Sequence, residues 1–156
     1  MVGGEQGPVH PAGAGVSARR VVVDANVAWR ALCRGREDLV EMLRPAGPLA
    51  GATLHAPRFL FVELFKHKER ILCAARLPEA DMLEALHALV ARMEFHDEAL
   101  APLGTWIEAF RLCAPTDEKD TPYVALALQL DAELWTEDEE LKSGLRARGF
   151  DRFFEP

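Results

Sequence analysis

Three consecutive valines, Val21, Val22 and Val23, are followed directly by Asp24. An unbroken run of β-branched apolar residues favours a strand that is buried on both faces, as in a parallel sheet. Such a strand should not end on an aspartate without a reason, because burying an unpaired carboxylate is unfavourable. We therefore predict a first strand over residues 20–24, with Asp24 at the carboxyl edge of the sheet, where α/β proteins bind ligands.

Short apolar segments alternate with helical segments along the rest of the chain. The candidate strands after the first are residues 51–57, 93–97, 132–138 and 150–156, and helices of ten to twenty residues are predicted between most of them. Strands that alternate with helices in this way are typical of the α/β class. The sequence therefore predicts an α/β fold with a mostly parallel central sheet.

Composition limits the remaining choices. A length of 156 residues indicates one domain, which we place at residues 19–156, after a flexible tail rich in Gly, Ala and Pro at residues 1–18. No stretch reaches the roughly 18 uninterrupted apolar residues of a membrane span. Three cysteines without a CxxC pair indicate a reduced, cytoplasmic protein. A net charge of −7 excludes a broadly basic nucleic-acid-binding surface, so any such role needs a local basic patch or metal ions.

Four acidic residues stand out by their placement at predicted element boundaries. Asp24 ends the first strand, Asp120 precedes an apolar helix, Asp138 follows the strand around Trp135, and Glu63 lies within the helical segment after Pro57. Strand-end and helix-start acids meet at one edge of a parallel sheet. Clustered carboxylates repel one another unless a cation neutralises them, and their hard oxygens suit Mg²⁺ or Mn²⁺.

Each of these acids also has a purely structural interpretation. Asp24 and Asp138 are suited to cap the helices that follow them, because aspartate accepts hydrogen bonds from free backbone N–H groups. Asp120 is a weaker cap candidate, since Pro122 favours Thr121 in that position. Glu63 shares one helical face with Lys66 and with Arg70 further along, which is also the pattern of a solvated surface.

Four segments together resemble the PIN-domain nucleases. They are VVVDANV, PRFLFVELFKHKERI, DEKDTPYVALALQL and AELWTEDEEL, and they occur in that order across nearly the whole of residues 19–156. The resemblance implies a three-layer α/β/α fold with a parallel sheet, and an acidic pocket that binds one or two Mg²⁺ or Mn²⁺ ions. It also implies hydrolysis of RNA phosphodiester bonds to give a 5′-phosphate and a 3′-hydroxyl.

The resemblance assigns roles to individual positions. Asp24, Glu63, Asp120 and Asp138 match the four catalytic, metal-binding acids of the family. Asn26 and Thr136 match its supporting polar residues. Asp117 is a further acid near the third position, and we interpret it as a surface charge.

Basic residues near the acids are candidate RNA contacts, above all Arg30, Lys66 and Arg70. Phosphate backbones are bound by such side chains, but runs of charge are also common on ordinary solvated faces, and the sequence leaves both interpretations open.

The resemblance also suggests a biological role. PIN domains of this length are most often toxins of type II toxin–antitoxin pairs, which implies a homodimer inhibited by a small antitoxin protein. The alternative is a PIN-like module that binds RNA or protein without cutting, although the complete set of acids disfavours it. A haloacid-dehalogenase-like phosphatase is disfavoured because Asn26 stands where its second aspartate would be.

Overall fold

The structure is a computed structural model in which residues 17–156 are described, so residues 1–16 of the predicted tail lie outside it. This part of the chain contains four strands and eight α-helices, with one to three helices after each strand. The strands are β1 (Arg19–Val23), β2 (Ala52–Pro57), β3 (Met93–His96) and β4 (Glu133–Trp135). The helices are α1 (Ala25–Arg34), α2 (Arg36–Met42), α3 (Phe59–Lys66), α4 (Lys68–Ala75), α5 (Glu79–Val90), α6 (Leu103–Cys113), α7 (Thr121–Leu130) and α8 (Glu139–Ala147).

The strands form one sheet in the order β3-β2-β1-β4, and every pairing is parallel. The valine run of β1 lies in the centre, where Val21, Val22 and Val23 are all buried. Parallel neighbours bring their carboxyl ends to the same edge of the sheet. The predicted α/β class, parallel sheet and three-layer α/β/α arrangement are confirmed.

The helices pack in two groups. In one group, α1 contacts α2, α3, α4 and α5; in the other, α7 contacts β1, β2 and β4 and is covered by α6. Because α7 lies between the sheet and α6, its sequence TPYVALALQL is apolar on nearly all sides, and Tyr123 to Ala127 are buried. Within residues 17–156 no helix combines the length and apolarity needed to cross a bilayer.

The strand predicted at the carboxyl terminus does not form. Residues 150–156 make a single isolated bridge, in which Phe153 pairs with Leu134 of β4. Leu134 N–H donates to the Arg152 carbonyl at 2.8 Å, and Phe154 N–H donates to the Leu134 carbonyl at 2.9 Å. β4 has only three residues, so it offers too short an edge for a longer ladder. The aromatic side chains pack instead, with Phe154 against Trp135 at 5.3 Å between ring centroids.

Candidate active site

A cleft of about 500 Å³ opens beside the end of β1, and all four predicted catalytic acids line it. They come from four separate parts of the chain: Asp24 from the end of β1, Glu63 from α3, Asp120 from the start of α7, and Asp138 from the turn between β4 and α8. The parallel topology explains the meeting of Asp24 and Asp138, because β1 and β4 are neighbours and both acids follow their strands. The lining also includes Ala25, Asn26, Trp29, Phe59, Val62, Leu64, Lys66, His67, Arg70, Asp117 and Lys119.

Asp24 is held by a hydroxyl that follows the end of β4. The residue is 5% exposed, and Thr136 Oγ1 donates a hydrogen bond to Asp24 Oδ2 at 2.8 Å. The same Thr136 oxygen accepts from Asn26 Nδ2 at 3.1 Å and from the Asp138 backbone N–H at 3.2 Å. Asn26 Oδ1 in turn accepts the backbone N–H of Glu137 at 3.3 Å. The two predicted supporting residues therefore fix the carboxylate through one shared hydroxyl.

The Asp24 carboxyl is unfavourable in its charged form. Burial raises its pKa to about 6, with a smaller contribution from the negative charge of Asp138. The Thr136 hydroxyl and the backbone N–H groups of Ala25 and Asn26 oppose this rise in part. Although Asp24 stands at the start of α1, its side chain makes no hydrogen bond of capping geometry, and the N–H groups of Ala25 and Asn26 only partly offset the effect of burial. Capping of α1 therefore does not fully account for this residue.

The charged form of the Asp120 carboxyl is even less favourable than that of Asp24. Burial, followed by the charges of Asp24 and three further acids around the cleft, raises its pKa to about 8. It precedes α7 without making a side-chain cap. The Thr121 hydroxyl does not cap either, since it donates back to the Glu118 carbonyl at 2.5 Å. The Asp120 carboxyl thus lines the cleft with no protein hydrogen-bond donor among the described contacts.

Glu63 lies on the cleft side of α3 rather than on a fully solvated face. It is half-buried, and Tyr123 Oη donates to Glu63 Oε2 at 3.1 Å. Burial raises the Glu63 pKa, the tyrosine hydrogen bond lowers it, and the charges of Asp24 and Asp117 raise it again. Tyr123 was not among the predicted site residues. It lies within the segment TPYVALALQL, where one phenolic hydroxyl in a strongly apolar helix was the available signal.

Asp138 both caps a helix and lines the cleft. Its Oδ1 accepts the backbone N–H of Leu141 at 3.0 Å, so it caps α8. Its side chain also lines the cleft, and its charge raises the pKa of both Asp24 and Asp120. One carboxylate oxygen is used by the helix, which leaves the second oxygen for a ligand.

The donor chemistry of the cleft fits a hard divalent cation. Carboxylate oxygens are the ligands that Mg²⁺ and Mn²⁺ prefer, and burial together with mutual repulsion raises the pKa of Asp24 and Asp120, so a bound cation would favour their charged forms. The cleft acids do not converge on one point in this conformation. Among residues 17–156, three ligand atoms within 4.8 Å of one another occur at His55, Glu94 and His96, and not in the cleft.

The predicted basic contacts divide into two groups. Lys66 and Arg70 line the cleft, as does Lys119, and they place positive charge beside the acids. Arg30 does not line it; Arg30 Nη1 lies 2.5 Å from Glu137 Oε2 in a salt bridge. Lys119 was not predicted, since nothing in its local sequence distinguishes it from other surface lysines.

Asp117 needs a partial correction. It is exposed, as expected of a surface charge, but it lies on the cleft. Its Oδ1 accepts the Lys119 backbone N–H at 3.0 Å and so shapes the turn before α7. Its charge contributes to the raised pKa of Asp120 and of Glu63.

Comparison with known proteins adds one family match. The family model described as PIN domain matches residues 22–153, which include the cleft and all four of its predicted acids. No curated protein sequence matches the chain.

Proposed function

The chain belongs to the PIN-domain family, and from this premise we propose that it is a divalent-metal-dependent endoribonuclease that hydrolyses RNA phosphodiester bonds. One observation carries the proposal: Asp24, Glu63, Asp120 and Asp138 line a single cleft at the carboxyl edge of the parallel sheet. Two of these carboxyls, Asp24 and Asp120, have raised pKa values there, as expected for acids grouped to bind a shared cation.

The proposed metal ligands are Asp24, Glu63, Asp120 and Asp138. When bound, Mg²⁺ or Mn²⁺ would act as a Lewis acid toward the scissile phosphate and make water a better nucleophile. The chain's own residues position these ligands. The Thr136 hydroxyl orients Asp24, the Tyr123 hydroxyl orients Glu63, and the α8 backbone orients Asp138.

RNA would reach the cleft along its basic side. Lys66, Arg70 and Lys119 lie on the cleft and are suited to bind backbone phosphates, which offsets the repulsion expected from a chain of net charge −7. Trp29, which is half-buried at the same cleft, offers a ring on which a base can stack. Arg30 is a weaker candidate, because Glu137 already occupies its guanidinium.

The first experiment is cleavage of a mixed RNA substrate by purified protein with Mg²⁺, with Mn²⁺ and with EDTA. We expect cleavage only with metal, and a loss of at least about a hundredfold in Asp24→Asn and Asp120→Asn, as is typical of removing a group that stabilises transition-state charge. Asp81→Asn is the matched control, because Asp81 is an exposed acid on α5 that does not line the cleft. Its activity should equal that of the unmodified chain.

Two negative results together would contradict the proposal. If the folded protein cuts no RNA in either metal, and if calorimetry detects no Mg²⁺ or Mn²⁺ binding that depends on Asp24, the endoribonuclease proposal is wrong. The cleft would then belong to a PIN-like module that binds RNA or protein without cutting.

A finer part of the proposal concerns partners. On the resemblance to small PIN-domain toxins, we assign the chain to a type II toxin–antitoxin pair, as a homodimer inhibited by a small antitoxin. The apolar surface beside the cleft supports a protein partner: Ile107 and Phe110 of α6 are 62% and 50% exposed and lie near Phe59. Light scattering of the purified chain tests the homodimer, and co-purification with a co-expressed candidate antitoxin tests the second assignment.

A further inference from the structure

A second cluster of ligating side chains lies on the sheet, outside the acidic cleft. His55 is in β2, while Glu94 and His96 are in the edge strand β3. The register pairs His55 with Glu94 and Pro57 with His96. Residues paired across strands share a face, and so do residues two apart along a strand, so all three side chains project from the same face.

The ligating atoms of these residues converge. His55 Nδ1 lies 3.0 Å from His96 Nε2 and 3.8 Å from Glu94 Oε2, and His96 Nε2 lies 3.7 Å from Glu94 Oε1. Two ligands held about 2.1 Å from a tetrahedral Zn²⁺ ion lie about 3.4 Å apart. One ligating atom from each residue lies within 4.8 Å of the other two, so small side-chain rotations bring the three atoms to that spacing.

The contacts of His55 are compatible with metal binding through Nδ1. Thr53 Oγ1 lies 2.9 Å from His55 Nε2 and 3.4 Å from the Arg19 carbonyl oxygen. When the threonine hydroxyl donates to that carbonyl, its oxygen accepts the Nε2 proton, and the Nδ1 lone pair faces His96 and Glu94. A histidine ligand whose other ring nitrogen donates to a neighbouring oxygen is the usual arrangement at metal sites.

The site is buried at His55 and open to solvent at Glu94. His55 is 6% exposed, so its ring is held in place inside the sheet. The Glu94 side chain is 70% exposed on the edge strand, which leaves a path from solvent. An ion bound between His55 Nδ1 and His96 Nε2 would displace the proton that the two nitrogens share across their 3.0 Å contact.

We propose that His55, Glu94 and His96 bind one Zn²⁺ ion and so tie the edge strand β3 to β2. Two imidazole nitrogens and one carboxylate oxygen form a ligand set that zinc uses, with a fourth position left for water. Imidazole is a poor ligand for Mg²⁺, so this site and the oxygen-lined cleft select different ions. The proposal is independent of the proposed RNA cleavage.

The test is a zinc titration of untagged protein in competition with a chromophoric chelator, followed by thermal melting. We expect one zinc ion per chain, a melting temperature that rises with zinc, and visible absorption when Co²⁺ replaces zinc. His96→Ala and Glu94→Gln should each weaken zinc binding at least tenfold and remove the zinc-dependent rise. His87→Ala, which removes an exposed histidine of α5, is the matched control and should bind zinc normally.

Two results would overturn the proposal. One is the absence of zinc binding by folded, unmodified protein at micromolar zinc. The other is zinc binding that survives in His96→Ala and Glu94→Gln but is lost in Asp24→Asn, which would place the ion in the acidic cleft. Because the readouts are zinc affinity and melting temperature, they stand whether or not RNA is cut. In a cleaving protein, His96→Ala should retain Mg²⁺-dependent cleavage.

Discussion

At the residue scale, the Thr136 hydroxyl connects three groups that line or flank the cleft. Its buried hydroxyl donates to Asp24 and accepts from Asn26 and from the Asp138 backbone. Thr136→Val keeps the shape but leaves one carboxylate and two donors without their partner. We expect a loss of about 2 kcal/mol in the free energy of unfolding, measured by urea denaturation, since orphaning buried polar groups costs about 1–3 kcal/mol.

Thr136→Ser is the control for that change, because serine retains the hydroxyl and loses only a methyl group. Thr136→Ser should keep most of the stability and most of the RNA cleavage of the unmodified chain. Equal stability of the Val variant and the unmodified chain would mean that the shared hydroxyl is not needed to hold these groups.

Tyr123 offers a separate test at the same scale. Tyr123→Phe removes the hydroxyl that donates to Glu63 at 3.1 Å and keeps the ring that packs against Phe59. We expect RNA cleavage to fall about tenfold or more, because a hydrogen bond to a charged group contributes roughly 1.5–3 kcal/mol. Comparison of cleavage rates with urea midpoints separates positioning from folding. A Phe variant with unchanged cleavage would exclude a role for Tyr123 in positioning Glu63.

At the element scale, Asp138 joins α8 to the cleft. Asparagine caps helices about as well as aspartate, whereas alanine loses the cap at a cost of about 0.5–2 kcal/mol. We therefore expect Asp138→Asn to keep its urea midpoint and lose RNA cleavage, and Asp138→Ala to lose both. If Asp138→Asn cleaves RNA normally, the residue serves only the helix.

At the same scale, part of the fold and of the candidate site follows from local sequence features. The run Val21 to Asp24 predicted both a buried strand and a carboxylate at its end, because a run of β-branched residues and the residue that follows it are local features. The family pattern then identified four acids that line one cleft. The terminal strand at 150–156 failed, since its pairing depended on the length of β4 and not on its own composition.

What the sequence did not reveal depends on distant contacts. His55 and His96 are 41 positions apart, and only the register of β2 against β3 brings them together. Arg30 was a reasonable RNA contact, but Glu137, far along the chain, binds it. Side-chain partners of this kind follow from tertiary packing, which residue spacing alone does not specify.

At the scale of the whole molecule, the acids set the pH dependence of stability in EDTA. The pKa values of Asp24 and Asp120, about 6 and about 8, lie above their ordinary value of 3.8. The folded state therefore binds more protons than the unfolded state between about pH 4 and pH 8. It follows that these groups stabilise the fold at low pH and that their contribution is lost as pH rises through this window.

Asp120→Asn should make that pH dependence shallower. We expect the variant to gain about 1–3 kcal/mol in the free energy of unfolding at pH 8 in EDTA, with little difference near pH 4. Chemical denaturation at several pH values measures it, with Asp81→Asn as the exposed control. Saturating Mg²⁺ should remove most of the gain, because the ion binds the ionised acids of the unmodified chain. Parallel curves for the variant and the unmodified chain would contradict the assignment of this electrostatic cost to Asp120.

The sheet order β3-β2-β1-β4 has a consequence for how the protein is made. β1 begins at Arg19, yet its neighbour β4 comes last among the strands of residues 17–156, and the hydroxyl that holds Asp24 lies 112 positions later. A growing chain on the ribosome therefore carries Asp24 long before the partners of that carboxylate exist. We expect a nascent chain to lack an assembled cleft until β4 has emerged, so the proposed RNA cleavage cannot begin while the strands before β4 are being translated.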